Sequence, residues 1–529
     1  MSGEAENVLN SRSKPDASWS TINLAEAMPG VATPLGWSFW GPAGELGARA
    51  PFLAMGALPA AQAGVPDDPE ERVINIFFGR VAGRVDFFCE MGDLIPGITG
   101  EGIARDVFGF VPPNYVSRPS RRRWAVCAGK LPATFVRIPS TMHRTRRDTE
   151  AWWRTEITRS AGLDLAGAEE QLSAAAGRFR DTLALQAINV ACGIQPLYEQ
   201  VGALAKAAGV DGAGLMTGHG SHEETAVIGD LWAVSRDRLG VDAFLARHGY
   251  HGPHEGEISG VVWWEDPAPV HQLVESYRSL GDDADPARTV RARAAERAQL
   301  EAGLLAGLSR ARQAQARLLL RLIGRYLPLR GVGKVAFLQS IDVGRAAARR
   351  IGALLAADSV LADPEDAFLL TVDELTGPLP PDPQQLVKER RALREHYQGL
   401  ELVTPCWTGT AEARPVVVAE RVDSLTGVAA SPGLVEGRAR VVTEPAEADM
   451  EPGEILVAHT TDPGWASLMF LAKALVVDIG GLLSHAAVVA RELGIPCVMN
   501  TGVGTQVLAS GDLVRVDGDA GTVEVLERS

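Results

Sequence analysis

The sequence predicts a multidomain protein of the α+β or α/β class, with a mainly helical N-terminal part and a smaller C-terminal domain that contains strands. The first observation is length, since 529 residues suffice for about three domains of ordinary size. The second is the helical spacing of apolar residues in the segments 163–209 and 292–329. The third is a series of short apolar runs, bounded by glycine, after residue 425.

The N-terminal part is predicted to be mainly helical after residue 150. Its two long segments are rich in alanine, leucine and other residues that favour helices. Packed helices enclose apolar cavities readily, so the aromatic residues near the N-terminus either line a cavity or belong to the core, which is the commoner place for an apolar stripe. These residues are Trp37, Phe39, Trp40, Phe77, Phe78, Phe87 and Phe88.

The C-terminal part is predicted to contain strands joined by tight turns. A turn at residues 431–433 precedes a strand, and residues 453–458 form another. Residues 474–478 are a short apolar run typical of a buried strand, and they lead directly into the pair Gly480 and Gly481. Residues 511–518 and 521–525 are predicted to close the domain as a hairpin.

The most informative residue is His485, which follows the glycine pair and begins a predicted helix. The glycines allow a sharp turn, Ser484 can cap the helix, and the free N–H groups of the first turn favour an anion beside the imidazole. Ala486 leaves room for another active site to close over the ring. This pattern favours a phosphoryl carrier, and the alternative is an ordinary helix cap with a solvent-facing histidine.

From about residue 426 to the C-terminus, the sequence resembles the swivelling phosphohistidine domain of the phosphoenolpyruvate synthase, pyruvate phosphate dikinase and rifampicin phosphotransferase family. The resemblance implies a β/β/α domain over residues 426–529 in which His485 is transiently phosphorylated. It also implies a phosphate-binding role for Gly480, Gly481, Ser484, Ala486 and Thr461. The motifs that carry it are Ser431-Pro432-Gly433, Thr461-Asp462-Pro463, Gly480-Gly481, Ser484-His485-Ala486, Ala490-Arg491-Glu492, Gly494-Ile495-Pro496 and Asp517-Gly518, with Leu483 where many relatives have threonine.

Residues 1–425 resemble, in scattered but collinear segments, the acceptor-binding domain of rifampicin phosphotransferase-like proteins. The matching segments are residues 19–38, 244–267 and 361–375. Of the aromatic residues that could line a cavity, we expect Trp37 and Trp40 to contact the acceptor. Tyr250 and His251 depart from the pattern, since relatives more often have histidine and arginine there.

Arg330 and Lys334 are four residues apart, which places both on one face of a helix. Rifampicin phosphotransferase-like sequences have an arginine and a lysine with this spacing, so the pair resembles a cationic clamp on the transferred phosphoryl group. Gly331 and Gly333 weaken the predicted helix. A solvated basic face is an equally weighted alternative.

Histidines are concentrated between residues 219 and 254, where one of them can act as a base toward an acceptor hydroxyl. We assign this role to His251 and expect His219 and His222 to contact the substrate. A metal site that uses His219, His222, Glu223 and Glu224 is a weaker alternative, so no metal is predicted. The five histidines are His219, His222, His248, His251 and His254.

The sequence contains neither a P-loop motif nor a sign of an ATP-grasp domain. We therefore expect a separate ATP-grasp subunit, which binds ATP and Mg²⁺, to charge His485. The resemblance to split phenylphosphate synthases implies that an alcohol or phenol is then phosphorylated, with AMP and phosphate as the other products. The alternative class is a non-catalytic or regulatory binding protein that retains the domain as a scaffold.

Composition favours a cytoplasmic enzyme. The net charge of −15 argues against a nucleic-acid partner, although residues 118–123 include four arginines. Five widely spaced cysteines indicate neither a disulfide framework nor a zinc site. The polar N-terminus and the absence of a long apolar run predict that there is no signal peptide and no membrane partner.

Overall fold

The computed structural model describes residues 7–22, 24, 28–219, 223–416, 421–443, 450–461, 463–481 and 484–529, although the side chains of residues 223, 224 and 463 are not described. The chain divides into two compact units, which are described one at a time. The first contains Met1–Gly193, Gly256–Ser259 and Val332–Val416, and the second contains Ile194–Glu255, Gly260–Gly331 and Val417–Ser529. The domain boundary near residue 425 stays a prediction.

Helices form most of the regular structure, and they begin well before residue 150. The segment 163–209 is helical as predicted, with a π-helical turn at Asn189–Ile194, and the segment 292–329 contains two helices and the start of a third. The helices are α1 (Pro34–Met55), α2 (Val85–Gly92), α3 (Gly100–Phe108), α4 (Trp124–Ser160), α5 (Leu165–Ile188), α6 (Gln195–Ala208), α7 (Glu223–Ser235), α8 (Val241–His248), α9 (Ala268–Ser279), α10 (Pro286–Ala306), α11 (Arg310–Tyr326), α12 (Leu329–Ala357), α13 (Val372–Leu375), α14 (Pro383–Gln398), α15 (Ala466–Met469), α16 (His485–Leu493) and α17 (Gly504–Val507).

Within the described residues, the strands form three sheets. The four-stranded sheet of the first unit has the order β2-β3-β1-β5, the eight-stranded sheet of the second has the order β7-β14-β13-β9-β10-β11-β12-β8, and β4 pairs with β6. The strands are β1 (Ser18–Ser20), β2 (Ile74–Phe77), β3 (Arg80–Arg84), β4 (Leu400–Leu402), β5 (Cys406–Thr408), β6 (Ala413–Pro415), β7 (Ser424–Thr426), β8 (Val428–Ser431), β9 (Leu434–Val442), β10 (Ile455–Ala458), β11 (Ala474–Val477), β12 (Cys497–Met499), β13 (Leu513–Asp517) and β14 (Thr522–Glu527). The combination of a helical N-terminal region with a C-terminal sheet confirms the predicted multidomain α+β class.

The eight-stranded sheet is parallel at its centre, from β9 through β10 and β11 to β12. Parallel strands of this kind are usually covered on both faces, and their side chains alternate between the two. Here Ile455 and Val457 belong to one apolar cluster, while Leu456 and Ala458 belong to another. The predicted hairpin is formed by β13 and β14, which pair antiparallel.

One face of this sheet is covered by helices from two distant parts of the second unit. Helices α15 and α16 come from the C-terminal part of the chain, whereas α7 and α9 lie much earlier in the sequence. Leu231 of α7 and Tyr277 of α9 are fully buried in the same apolar cluster as Leu475 of β11. The Tyr277 hydroxyl also donates a hydrogen bond to the Ser467 carbonyl at 3.0 Å.

The first unit has helices α1, α4 and α5 packed together beside its small sheet. A buried ion pair links the helices to this sheet, because Glu45 in α1 accepts from Arg49 Nε at 2.6 Å and also from the backbone N–H groups of Val73 and Ile74. A carboxylate with three partners can remain charged in the interior. Within the described parts of the chain, no helix is both long and apolar enough to cross a membrane.

Candidate functional site

His485 is the first residue of α16 and is only 9% exposed, so it is not the solvent-facing residue of the alternative interpretation. Ser484 is the N-cap, with an extended backbone (φ −65°, ψ 163°) and a hydroxyl that accepts from Ala487 N–H at 3.4 Å. Gly480 has φ 150°, a region that favours glycine. Gly481 is half-buried, and Ala486 is fully buried. Leu482 and Leu483 lie outside the described residues.

Asp478 fixes the segment that leads to this histidine. It directly follows β11, is 1% exposed, and accepts hydrogen bonds from the hydroxyls of Thr501 and Thr505 and from the N–H groups of Gly504 and Thr505. Burial raises the pKa of this carboxyl, but hydrogen bonds from His459, Thr505 and Thr501 together outweigh burial and lower it overall. Asp478 therefore remains an anion and connects the end of β11 to the segment after β12.

Because β10 and β11 are parallel neighbours, the residues that follow them lie at the same edge of the sheet. The His459 carbonyl accepts from Ile479 N–H at 2.9 Å, and His459 Nδ1 lies 3.5 Å from Asp478 Oδ2. Thr461, predicted to bind phosphate, is 4% exposed at this edge. The predicted residues that follow β10 and β11 thus share one edge, although Asp462 lies outside the described residues.

Helix α16 also has defined neighbours toward its C-terminus, within the second unit. Glu492 accepts from Gly218 N–H at 3.1 Å. Arg330, at the start of α12, lies close enough to Tyr198 and Arg491 to influence both. Burial raises the pKa of Tyr198, and the charges of Arg330 and Arg491 oppose this rise. Burial lowers the pKa of Arg491, and Arg330 contributes to the decrease.

Lys334 lies in the first unit, one helical turn before Phe337 on α12. The Phe337 ring makes edge contacts with Phe179 and Trp40, at centroid distances of 6.2 and 6.4 Å. Trp40 is half-buried, and its indole N–H donates to the Gly256 carbonyl at 2.7 Å. Trp37 instead is buried in the apolar core. Of the two predicted tryptophans, Trp40 is therefore the one with a partly open ring, and its neighbour Phe337 is also half-buried.

The predicted histidine positions fall in other parts of the second unit. His251 Nδ1 and Glu255 Oε2 are 2.7 Å apart, and both side chains are almost fully buried. His248 Nε2 lies 2.9 Å from Asp230 Oδ2, and burial lowers the pKa of His248 to about 4. His219 Nε2 lies 3.1 Å from the Leu215 carbonyl.

His222 lies outside the described residues, so the predicted contact of His222 with substrate stays a prediction. Among the described side chains, no group of three or more histidine, cysteine, aspartate or glutamate residues is arranged to hold a metal ion.

Sequence reasoning missed Asp478 and His459. Asp478 could have been found from the sequence, because it directly follows an apolar strand. A carboxylate buried at such a position needs hydrogen-bond partners and therefore indicates a polar site. Nothing in the sequence indicates His459, since only the pairing of β10 with β11 places it beside that carboxylate.

Two family models match the chain. Residues 450–521 match the PEP-utilising enzyme, mobile domain (PEP is phosphoenolpyruvate), and residues 203–331 match the rifampicin phosphotransferase fourth domain. Among solved structures, an NMR solution structure of Enzyme I aligns with 69% of this chain and 81% of its own, at 14% identity and a TM-score of 0.16, too low to support an argument.

Several curated proteins are similar to the chain. A rifampicin phosphotransferase from Streptomyces sviceus is 27% identical over 520 residues, which cover 89% of this chain and 56% of the relative. A rifampicin phosphotransferase from Streptomyces sp is 35% identical over 306 residues, which cover 56% and 35%. The prodigiosin synthesizing transferase PigC from Serratia marcescens is 31% identical over 296 residues, which cover 53% and 32%.

The chain spans between 32% and 56% of the length of these relatives. The mobile-domain match contains the edge with His459 and Thr461 and the whole of α16, including His485. The fourth-domain match contains α7 and α9, which cover the same sheet. The chain thus combines a region that matches the mobile domain of PEP-utilising enzymes with a region that matches the fourth domain of the rifampicin phosphotransferases.

Proposed function

We propose that this chain is a phosphotransferase component that carries a phosphoryl group on His485 and delivers it to a hydroxyl of a small molecule. The observation that carries the proposal is the position of His485 at the capped start of α16, beside the glycine pair and the edge formed after β10 and β11. N–H groups at a helix start and oriented dipoles favour the charge of a bound phosphoryl group.

The proposed chemistry has two transfers. A neutral imidazole nitrogen of His485 attacks the phosphorus of the donor, an N–P bond forms, and the P–O bond to the leaving group breaks. The acceptor hydroxyl then attacks the same phosphorus, the N–P bond breaks, and the hydroxyl proton passes to a base or to the departing imidazole. Catalysis of this kind depends mainly on positioning and on neutralisation of charge.

The acceptor is proposed to be an aromatic or hydrophobic alcohol or phenol. The support is the half-buried Trp40 with its neighbours Phe179 and Phe337, one turn from Lys334. Aromatic faces suit a flat apolar ligand, and a lysine beside them suits an oxygen that becomes negatively charged. The similarity to proteins named rifampicin phosphotransferase and prodigiosin synthesizing transferase PigC agrees with a small-molecule acceptor.

Arg330 is proposed to neutralise the phosphoryl group in transfer, together with Lys334. The support is the proximity of Arg330 to Arg491 of α16, which places a second positive charge near the helix that begins with His485. His251 as the base toward the acceptor, with Glu255 holding its ring, is part of the same proposal.

The phosphoryl donor is proposed to be a separate cytoplasmic ATP-grasp subunit that binds ATP and Mg²⁺ and releases AMP and phosphate. The test is to mix that subunit, ATP labelled at the β-phosphate, and this chain. We expect acid-labile label on the wild-type chain and none on His485→Ala.

The matched control is His143→Ala, because His143 is an exposed histidine of α4. It should take up label like the wild type. Label retained by His485→Ala would remove His485 from the mechanism. A wild-type chain that takes up no label but still binds hydroxylated ligands would favour a binding protein with a scaffold domain.

A further inference from the structure

A cavity of about 500 Å³ lies in the first unit and takes no part in the proposed function. Its lining residues come from the segment after α1, from the C-terminal end of α2 and the residues that follow it, and from the segment that precedes α4. The volume is within the range of small-molecule sites in proteins. Because a helix rises about 1.5 Å per residue, the end of α1 at Met55 lies about 20 Å from Trp40, and the cavity is separate from the proposed acceptor region.

One wall of the cavity is fixed by the buried carboxylate of Asp93. This carboxylate accepts from the Tyr115 hydroxyl and the Gly100 N–H group, each at 2.8 Å, and also from the Arg118 N–H group. The Asp93 carbonyl accepts from Ser120 N–H at 2.7 Å. Burial raises the pKa of Asp93, but its hydrogen bonds together outweigh burial and lower the pKa overall. The segment that carries Arg118 is therefore held in place by an anion.

Three arginine side chains line the same cavity. Arg118 and Arg122 make hydrogen bonds through their backbone N–H groups, while neither guanidinium has a hydrogen-bond or carboxylate partner among the residues that the structure describes. Arg123 is anchored, since its Nε donates to the Gly56 carbonyl at 2.8 Å. Guanidinium groups stay charged at physiological pH and bind phosphate through paired N–H donors. Two such charges match the charge of about −2 on a phosphate monoester.

The lining also provides an apolar surface and one opposing charge. Ala57 and Met91 are buried, whereas Val116 is 67% exposed, and such a surface suits the apolar body of a ligand. The carboxyl of Glu90 lines the cavity as well. Burial and the charge of Asp86 raise the pKa of Glu90. The negative charge of Glu90 opposes an anion in the cavity.

We propose that this cavity binds a small organic phosphate, with Arg118 and Arg122 on the phosphate group and Val116 against the apolar body. This binding needs neither a phosphohistidine nor a partner subunit, so it is independent of the proposed function, and no covalent bond forms. Because Asp93 and Gly56 already hold the segments that carry the arginines, little backbone ordering accompanies binding.

The test is isothermal titration calorimetry of the full-length chain with phenyl phosphate and, separately, with inorganic phosphate. We expect both to bind, with phenyl phosphate the tighter ligand because its ring contacts the apolar surface. Arg118→Gln and Arg122→Gln should each weaken the binding of phenyl phosphate about tenfold. Glu90→Gln should strengthen it about threefold, since the substitution removes the opposing charge.

Two controls separate this cavity from other positive surfaces and from the acceptor region. Arg180→Gln removes an exposed arginine of α5 that does not line the cavity, and this variant should bind phenyl phosphate like the wild type. Trp40→Ala should also bind it like the wild type. Loss of binding in Trp40→Ala but not in Arg122→Gln would place the ligand at the acceptor region and overturn the assignment to this cavity.

Two further outcomes contradict the proposal. If the wild type binds neither probe at about 5 mM, the cavity is not a phosphate site. If phenyl phosphate binds no more tightly than inorganic phosphate, the apolar surface takes no part and the ligand is not an organic phosphate. Neither outcome bears on the charging of His485, which the uptake of labelled phosphate measures.

Discussion

Among single residues, Asp478 shows how burial and hydrogen bonding compete. Burial alone raises the pKa of its carboxyl, yet the donors that surround it lower the pKa overall. A carboxyl with a lowered pKa in the folded state contributes stability above its unfolded pKa and loses that contribution as the pH falls. Asp478 should therefore stabilise the second unit at neutral pH and cease to do so in acid.

Replacing Asp478 with asparagine tests this contribution. The variant cannot accept all the bonds that now converge on the carboxylate, so the free energy of unfolding at pH 7 should fall by about 1–3 kcal/mol. Urea denaturation measures the change. Asp358→Asn is the control, because Asp358 is exposed, and it should alter stability by less than about 0.5 kcal/mol.

The lowered pKa of His248 predicts a second pH dependence of the stability. Burial lowers the pKa of His248 to about 4, while His248 in the unfolded chain titrates near 6.5. Between these values the unfolded state binds the additional proton, so stability should be greatest above pH 6.5 and should fall as the pH approaches 4, by at most about 3 kcal/mol.

Urea denaturation between pH 4.5 and 7.5 measures this dependence, and His248→Gln should reduce its slope. An unchanged slope in that variant would show that other groups cause the acid sensitivity.

A role for His485 could be inferred from the sequence because the residues that indicate it are neighbours in the chain. A glycine pair, a capping serine and small residues stand next to one another, and each has a conformational reason to be there. The His459–Asp478 contact was beyond sequence reasoning, since nineteen positions separate the two residues and only strand pairing unites them. The carboxylate partner of His251, four positions away at Glu255, was within reach but was not predicted.

At the scale of elements, some glycines within helices are required for close packing and others are not, and the sequence alone does not distinguish them. Gly333 in α12 has no room for a side chain, because a Cβ would lie 2.0 Å from Gln186 Oε1 and 2.6 Å from Met142 Cε. A Cβ added to Gly229 in α7 would have no atom within 4 Å among its possible neighbours. Gly333 therefore permits close packing of helices and does not break α12, contrary to the concern raised by the sequence.

The two glycines provide a matched pair of substitutions. Gly333→Ala should destabilise the chain by about 1–3 kcal/mol through overpacking. Gly229→Ala should stabilise it by about 0.5–1 kcal/mol, since alanine has less conformational freedom to lose. Thermal unfolding of both variants measures the difference, and an equal effect of the two would refute the packing argument.

The helices that precede residue 150 were not predicted, for a physical reason. Helix α1 contains Pro42 and Pro51, and α4 contains Pro132 and Pro139. Proline in a helix interior removes a hydrogen bond and costs about 3 kcal/mol, so local propensity argues against both helices. Tertiary packing compensates, as the burial of Pro51 and Pro139 against neighbouring elements indicates.

At the scale of the whole molecule, helices α7 and α9 and the eight-stranded sheet contribute to one apolar core of the second unit. Sequence patterns indicate that a helix has an apolar face, but they do not identify the surface that covers it. The fold class was therefore predictable, whereas the packing of these helices on the sheet was not.

Leu231→Ala tests this shared core. Leu231 is fully buried in α7 within the cluster that includes Leu475 of the sheet, so its truncation should cost about 2–5 kcal/mol. Leu318→Ala is the control, because Leu318 is 56% exposed in α11. Hydrogen exchange should show weaker protection of β10 and β11 in Leu231→Ala only. Weaker protection confined to α7 would contradict a common core.

The order in which this core is assembled has a consequence during protein synthesis. The ribosome completes α7 and α9 first, then the last segment of the first unit, and only afterwards the strands that cover Leu231 and Tyr277. The apolar face of a helix that stays exposed until its partner strands are synthesised is a site for aggregation or chaperone binding. Nascent chains stalled before β10 should therefore be the form of this protein that depends most on chaperones.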